Sequence, residues 1–194
     1  VMSSIRFIQE NKTLKEQEVF KGKMLRVFSN QIQLPNGIQV QRELVHHLPA
    51  VAILAINERQ QVCLVKQYRP AVASDLLEIP AGLIDQIEGQ LEEPICAAKR
   101  ELEEETSYQA KTWVKGPSFY VSPGFLDEKI YLFFAKNLKL VEDALSQDDD
   151  EDVSCEWYDR EQIETMLEQG EIQDLKTLFA LQIFLGTGGY HGVI

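Results

Sequence analysis

The sequence predicts an α/β fold, closer to α+β: a sandwich of sheet and helix fronted by an antiparallel β-ribbon. Three observations predict it. Apolar runs of strand length come first, one long amphipathic helix interrupts them, and more strands and two helices follow. Near the N-terminus, Pro35-Asn36-Gly37 separates two alternating runs, a strong hairpin signal. In the middle, residues 92–106 carry helix formers with apolar residues at helical spacing.

In chain order, residues 12–48 are strand-rich. Phe20-Lys-Gly-Lys breaks a first short strand, Leu25 to Gln33 alternates, and Ile38 to His46 returns after the turn. Such a ribbon has one apolar side and no helix of its own, so it must lie on the main domain or on a second copy of the chain. His46-His47 is not read as a metal pair, because adjacent strand residues point to opposite faces. Val51 to Ile56 is a buried strand, Asn57 to Gln60 a turn, and Gln61 to Arg69 the next strand. Asp75 to Ala81 leads into the helix from Glu92 to Thr106, whose first turn tolerates Pro94. Strands are expected over Thr112–Val121, Glu128–Ala135 and Val153–Tyr158, and helices over Arg160–Glu168 and Asp174–Phe184. The division expected is residues 1–47 for the ribbon and 48–194 for the main domain.

With 194 residues and 44% hydrophobic content, the chain can bury one sizeable core. A net charge of −12 argues against a nucleic-acid surface, though not against a small anionic substrate, since a bound metal inverts the local field. Cys63, Cys96 and Cys155 are odd in number and far apart, and read as buried free thiols of a reducing compartment. The start, VMSSIRFIQE, lacks an apolar run and a cleavage signal, and no later run reaches membrane-spanning length. The expectation is a cytoplasmic protein that engages neither membrane nor nucleic acid.

The chemistry concentrates in Arg100-Glu101-Leu102-Glu103-Glu104-Glu105, five ionised groups in six residues. At about 100° per residue, Ile95, Ala98, Leu102 and Thr106 share the buried face. Glu101 and Glu105 stand together at its edge, with Glu104 a quarter turn beyond. Like charges at i,i+4 repel by about 0.2–0.5 kcal/mol. A bound cation reverses the sign, and magnesium suits all-oxygen donors that leave positions for water and phosphate. A solvated helix face is the plain alternative.

Residues 82–108 resemble the box of the Nudix family, G-x5-E-x7-R-E-U-x-E-E-x-G-U with U bulky and apolar. Glu92, seven residues, Arg100-Glu101-Leu102, one residue and Glu104-Glu105 match as they stand. Gly82, however, has nine residues between it and Glu92 rather than five, so Gln86-Ile87-Glu88-Gly89 or thereabouts looks inserted. The alternative register pairs Gly82 with Glu88. Ser107 stands where the pattern has its last glycine, and a left-handed backbone there would cost Ser roughly 1 kcal/mol.

Four further stretches look like the ADP-ribose pyrophosphatase branch of that family: Lys66-Gln-Tyr-Arg-Pro70, Leu76 to Gly82, Ser122-Pro-Gly-Phe-Leu-Asp-Glu128, and the acidic Asp148 to Val153. The resemblance implies a Nudix α/β/α sandwich with a mixed sheet. It also implies hydrolysis of ADP-ribose to AMP and ribose 5-phosphate with magnesium or manganese. Glu101, Glu105 and the Ala81 carbonyl would hold the metal, and Glu104 would share it or take a second. Gly82, Glu92 and Arg100 would be structural parts of the box. The base would be Glu151, with Asp149 second. Arg69 matches phosphate oxygens, or is a surface salt bridge. Arg42 and Glu128 would be further substrate contacts, with Arg42 reaching across a homodimer. Two rival functions stand beside this one: a pyrophosphatase for another nucleotide sugar or dinucleotide, and a non-catalytic Nudix-like binding domain.

Overall fold

The computed structural model describes residues 5–87, 89–146 and 153–186. After a short helix α1 (Arg6–Glu10), strands β1 (Lys12–Lys15), β2 (Glu18–Lys21), β3 (Leu25–Gln33) and β4 (Gln39–His47) form an antiparallel ribbon. β4 runs along one edge of β3 from Leu25↔His47 to Gln33↔Gln39, while β1 and β2 share the other edge. Gly37 closes the hairpin at φ 85°, a conformation that suits glycine. Phe28 is fully buried, and Phe7 of α1 meets its ring edge-on at 5.5 Å. Arg6 donates to the Tyr120 hydroxyl at 2.8 Å. The ribbon therefore has helical cover that the sequence reading did not expect, from a five-residue helix too short to show a period. Its outer positions Val19, Phe20, Met24 and Ile38 stay exposed.

The rest is built on β5 (Ala50–Ala55), every residue of which is buried. β6 (Val62–Arg69), β7 (Ser74–Glu78), β8 (Ala81–Leu83), β9 (Gln86–Ile87), β10 (Gln90–Leu91) and α2 (Pro94–Thr106) follow it. β11 (Tyr108–Tyr120), β12 (Lys129–Leu140), β13 (Ser154–Tyr158), α3 (Arg160–Glu168) and α4 (Leu175–Phe184) complete the chain. One sheet has the order β11-β12-β5-β8 and the other β13-β6-β7. Within the first sheet β12 and β5 pair in parallel and the other pairs are antiparallel, so it is mixed. Ala52, Leu54 and Ile56 meet Ile163 and Met166 of α3 and Leu181 of α4. Val51, Ile53 and Ala55 meet Ala97, Ala98 and Leu102 of α2. Alternation along one strand thus sends its two faces to helices on opposite sides, and the α/β/α sandwich follows.

Local chemistry fixes the helix ends. Asp159 and Gln162 make a reciprocal capping box at α3, worth about 1 kcal/mol. Asp174 caps α4 by accepting from Thr177 N–H at 2.9 Å. β11 starts at Tyr108, four residues before its expected start, because α2 turns directly into it. β12 extends to Leu140 to match it, pairing Tyr108 with Leu140.

The cysteines correct an expectation. Cys63 on β6 and Cys155 on β13 are joined in a disulfide, with Cα atoms 6.4 Å apart, and Cys96 is exposed. The antiparallel register sets Cys155 beside Val65 and Cys63 beside Trp157. Residues 92 apart in sequence thereby become neighbours, which spacing alone does not reveal. No helix among the described residues is long and apolar enough to cross a membrane.

Candidate active site

α2 brings the box carboxylates onto the β8 backbone. Glu101 and Glu105, one turn apart, are 6% and 3% exposed. Glu105 Oε2 accepts from Ala81 N–H at 3.0 Å. Glu101 lies directly against Gly82: a Cβ built there would come within 2.0 Å of the carboxylate carbon. Gly82 therefore serves close approach. Ala81 is fixed on its other side by pairing with Ala52, and Pro80 O accepts from Ile53 N–H at 2.8 Å. The loop and the helix thus present a carboxylate pair to one short run of backbone.

Arg100 holds the remaining box residues. Its Nη1 donates to Glu101 at 2.7 Å and to Glu104 at 2.9 Å, and its Nη2 to Leu83 O at 3.0 Å. Glu92 and Asp85 each lie 3.4 Å from Nη2. Burial pulls the guanidinium pKa down, but the charges of Glu101, Glu104 and Asp85 outweigh it and the net shift is upward. Asp85 was not singled out in the sequence; an acid at the mouth of the inserted loop, facing an invariably charged arginine, is the signal that could have found it.

The insertion is a small hairpin. β9 and β10 pair Ile87 with Gln90, and Glu92 N–H donates to Asp85 O at 2.8 Å beneath them. Gly82 keeps its place against Glu101, and Glu92 keeps its contact with Arg100. That arrangement fits the register with Glu92, in which the extra residues lie between the two; Glu88, the partner in the other register, lies outside the described residues. At the other end of the box, Ser107 takes the left-handed conformation, φ 59° and ψ 21°, and its N–H reaches Glu103 O at 2.8 Å.

Arg69, at the end of β6, is not a loose surface cation. Its Nε and Nη2 both donate to Glu78 at 2.7 Å, a bidentate pair with a carboxylate only 2% exposed. The hydrogen bond to Glu78 raises the Arg69 pKa against the pull of burial, and the charges of Glu78, Glu105 and Asp174 add to the rise. Arg69 is therefore within electrostatic reach of Glu105, one of the box carboxylates, while its side chain remains 38% exposed. Glu78 also accepts from Lys176 of α4, which in turn lies 3.1 Å from Asp174. The sequence reading missed Glu78 and Lys176; a single charge inside each of Leu76-Leu-Glu-Ile and Leu175-Lys-Thr-Leu-Phe is the trace they leave.

The other expected residues fall further out or beyond view. Arg42 is exposed on β4 and donates to Gln41 O at 3.0 Å. Glu128 is half-buried, 3.7 Å from His47 Nδ1, whose proton is committed to Leu48 O at 2.8 Å. His46 Nδ1 bonds Asp127 at 2.8 Å, and Val45 pairs with Leu126. The histidine pair thus ties the ribbon to residues 125–128. Asp149 and Glu151 lie outside the described residues.

The donor set has the chemistry of a hard divalent site, with two buried carboxylates and a backbone carbonyl run. Among the described residues no three acidic, imidazole or thiol groups stand arranged as a metal shell, and Arg100 is the cation between Glu101 and Glu104. A phosphate-matching guanidinium, that of Arg69 at the end of β6, lies within reach of the Glu105 charge. Acid oxygens for a metal beside a fixed cation for an anion are what phosphoryl chemistry requires.

The sequence pattern of the NUDIX domain matches residues 46–181. An ADP-ribose pyrophosphatase of Bacillus subtilis (strain 168) is 39% identical over 173 residues, 89% of this chain and 91% of its own. A methanol dehydrogenase activator of Bacillus methanolicus is 37% identical over the same length and the same shares. A crystal structure of an ADP compounds hydrolase superposes with a TM-score of 0.78, covering 96% of this chain and 98% of that one at 23% identity. That last likeness establishes the fold.

Proposed function

The chain belongs to the Nudix family, and from that membership we propose that it hydrolyses the diphosphate bond of ADP-ribose to AMP and ribose 5-phosphate. The observation that carries the reading is the buried Glu101 and Glu105 pair against Ala81 and Gly82, in a chain 39% identical to a protein named for that activity. Glu101, Glu105 and the Ala81 carbonyl would hold magnesium, or manganese in its place, with Glu104 sharing it or binding a second ion. Held there, a divalent cation would supply charge neutralisation for the diphosphate and make an attacking water easier to deprotonate.

The chain's own residues then divide the work. Water adds its oxygen to one phosphorus, the bridging P–O bond breaks, and the water proton passes to Glu151, with Asp149 as the alternative acceptor. Arg69 binds diphosphate oxygens, and Glu128 contacts the substrate from the segment tied to His47. Arg100 keeps Glu101 and Glu104 in register, and Glu92 and Gly82 give Arg100 and Glu101 their places. We assign the ribbon, residues 1–47, to a homodimer in which Arg42 reaches the partner's adenosine pocket. Exposed Val19, Phe20, Met24 and Ile38, each more than half exposed, support that assignment. We place the reaction in the cytoplasm, where nucleotide sugars and magnesium occur together; the Cys63–Cys155 bond is the feature that pulls against it.

The test is product analysis. ADP-ribose with magnesium should give AMP and ribose 5-phosphate in equal amounts, with loss on chelation. Faster turnover of another nucleotide sugar would move the assignment to that substrate and keep the site. An inert chain across a panel of such compounds would leave a binding domain, although all three box glutamates are present.

A further inference from the structure

The Arg69–Glu78 pair does not stand alone. The Glu78 carboxylate, buried to 2%, accepts from Arg69 on one side and from Lys176 on the other. Lys176 is itself 9% exposed and comes from the first turn of α4, 98 residues along the chain. Its second neighbour, Asp174, also caps α4 through Thr177 N–H at 2.9 Å and the Thr177 hydroxyl at 2.6 Å. That same Thr177 hydroxyl accepts from Ile79 N–H at 2.9 Å. One helix turn therefore grips both the Glu78 side chain and the backbone of the next residue, two positions before Ala81.

A buried carboxylate with two cations on it is over-supplied for its own solvation. Arg69 alone already satisfies both Glu78 oxygens in a bidentate pair. A second buried ammonium adds desolvation cost, which selection for stability alone does not favour. Its electrostatic effect is different. With Lys176 present, the charges of Arg69, Lys176, Glu78 and Asp174 cancel. Without it, two carboxylates face one guanidinium, and the neighbourhood of Arg69 becomes net negative beside Glu105. An incoming diphosphate would then meet a repelling field and an arginine whose charge is spent on Glu78. Arg69 uses only Nε and Nη2 in the pair, so its Nη1 lies outside that fork.

We propose that Lys176 is a positioning residue for substrate binding: it shares the Glu78 carboxylate and so keeps Arg69 both aimed and electrically available to the substrate diphosphate. This rests on the reading of Arg69 as a diphosphate ligand. Lys176 touches no substrate itself.

The test is a double-mutant cycle on KM and kcat for the panel compound that the wild type hydrolyses. Lys176→Met should raise KM about tenfold with kcat within about twofold, because the contact at Arg69 is made alike in substrate and transition state. Lys176→Arg, which restores the charge, should bring KM back to within about threefold. In an Arg69→Ala background, adding Lys176→Met should change KM by less than about twofold, since the residue acts through Arg69. Calorimetric affinity for the same compound in chelator should fall in parallel with KM. Should Lys176→Met not fold, Lys176→Gln takes its place in the cycle, with a smaller KM rise expected. A folded Lys176→Met or Lys176→Gln with wild-type KM overturns the proposal, as does an undiminished effect in the Arg69→Ala background. A wild type that ignores ADP-ribose but cleaves another compound defeats the proposed substrate and leaves this cycle to run on that compound. A wild type that cleaves nothing removes both.

Discussion

Replacing Gly82 by alanine should damage the enzyme through one contact. The added Cβ would sit 2.0 Å from the Glu101 carboxylate carbon and 2.2 Å from each of its oxygens, where ordinary contact begins near 3.4 Å. The carboxylate must then retreat by at least about 1 Å, a displacement that can cost about 10²-fold in rate at a positioned group. Its retreat is resisted, because Glu101 is buried and bonded at 2.7 Å to Arg100, which also holds Glu104. Overpacking of this kind costs about 1–3 kcal/mol, or a melting shift of about 2–12 °C for a chain of this size. The assay is kcat/KM for ADP-ribose over a magnesium titration, with thermal melts at zero and saturating magnesium. Wild type should gain melting temperature with magnesium by mass action, and Gly82→Ala should lose most of that gain along with its turnover. Wild-type kcat/KM together with an intact magnesium shift would refute the claim that Glu101 must rest on a bare backbone.

Glu105→Gln retains an acceptor for Ala81 N–H but removes a charge, so turnover should fall about 10²-fold or more at saturating magnesium while the apo melt is unchanged or higher; near-normal turnover would sink the metal assignment. Ser107→Gly should raise the melting temperature by about 2–4 °C, since the residue sits at φ 59° at a cost of roughly 1 kcal/mol, and a neutral or lower melt would show that its side chain matters more than its backbone. Glu151→Gln should lower kcat with KM little changed, and if Asp149→Asn is the crippled variant instead, the base is two residues earlier. Thiol titration of the denatured, unreduced chain should count one reactive group, Cys96; three would show that Cys63 and Cys155 do not stay bonded.

The parts of this molecule legible in its sequence are those whose signal is local. Leu25 to Gln33 alternates and ends at Pro35-Asn36-Gly37, and the strand has those bounds. The burial of Ala98, Leu102 and Thr106 follows from the angular step of a helix, whereas Glu101 and Glu105, expected at its margin, are buried themselves and Ile95 only partly so. What stayed hidden depends on register between distant segments. Arg69 finds Glu78 across a hairpin, Glu78 finds Lys176 across 98 residues, and Cys63 finds Cys155 across 92. β11 and β12 run past their expected ends because each supplies the other's ladder, although Gln109, Lys111, Lys136 and Lys139 look like loop residues in isolation. The helix α1 escaped notice for want of length.

The hairpin of β9 and β10 bears on how such a motif should be searched for. Its stem is closed by Glu92 N–H on Asp85 O, so the chain leaves and re-enters at fixed points whatever lies between. Gly82 and Glu92 are anchored separately, one against Glu101 and the other against Arg100, and the count of residues separating them is free to drift. A fixed-spacing pattern treats that drift as loss of the motif. A pattern written as two rigid anchors joined by an elastic loop would retain it. The exposed turn at Gly89 becomes, on the same logic, a place to graft an epitope or a fluorophore, within one loop of the chemistry.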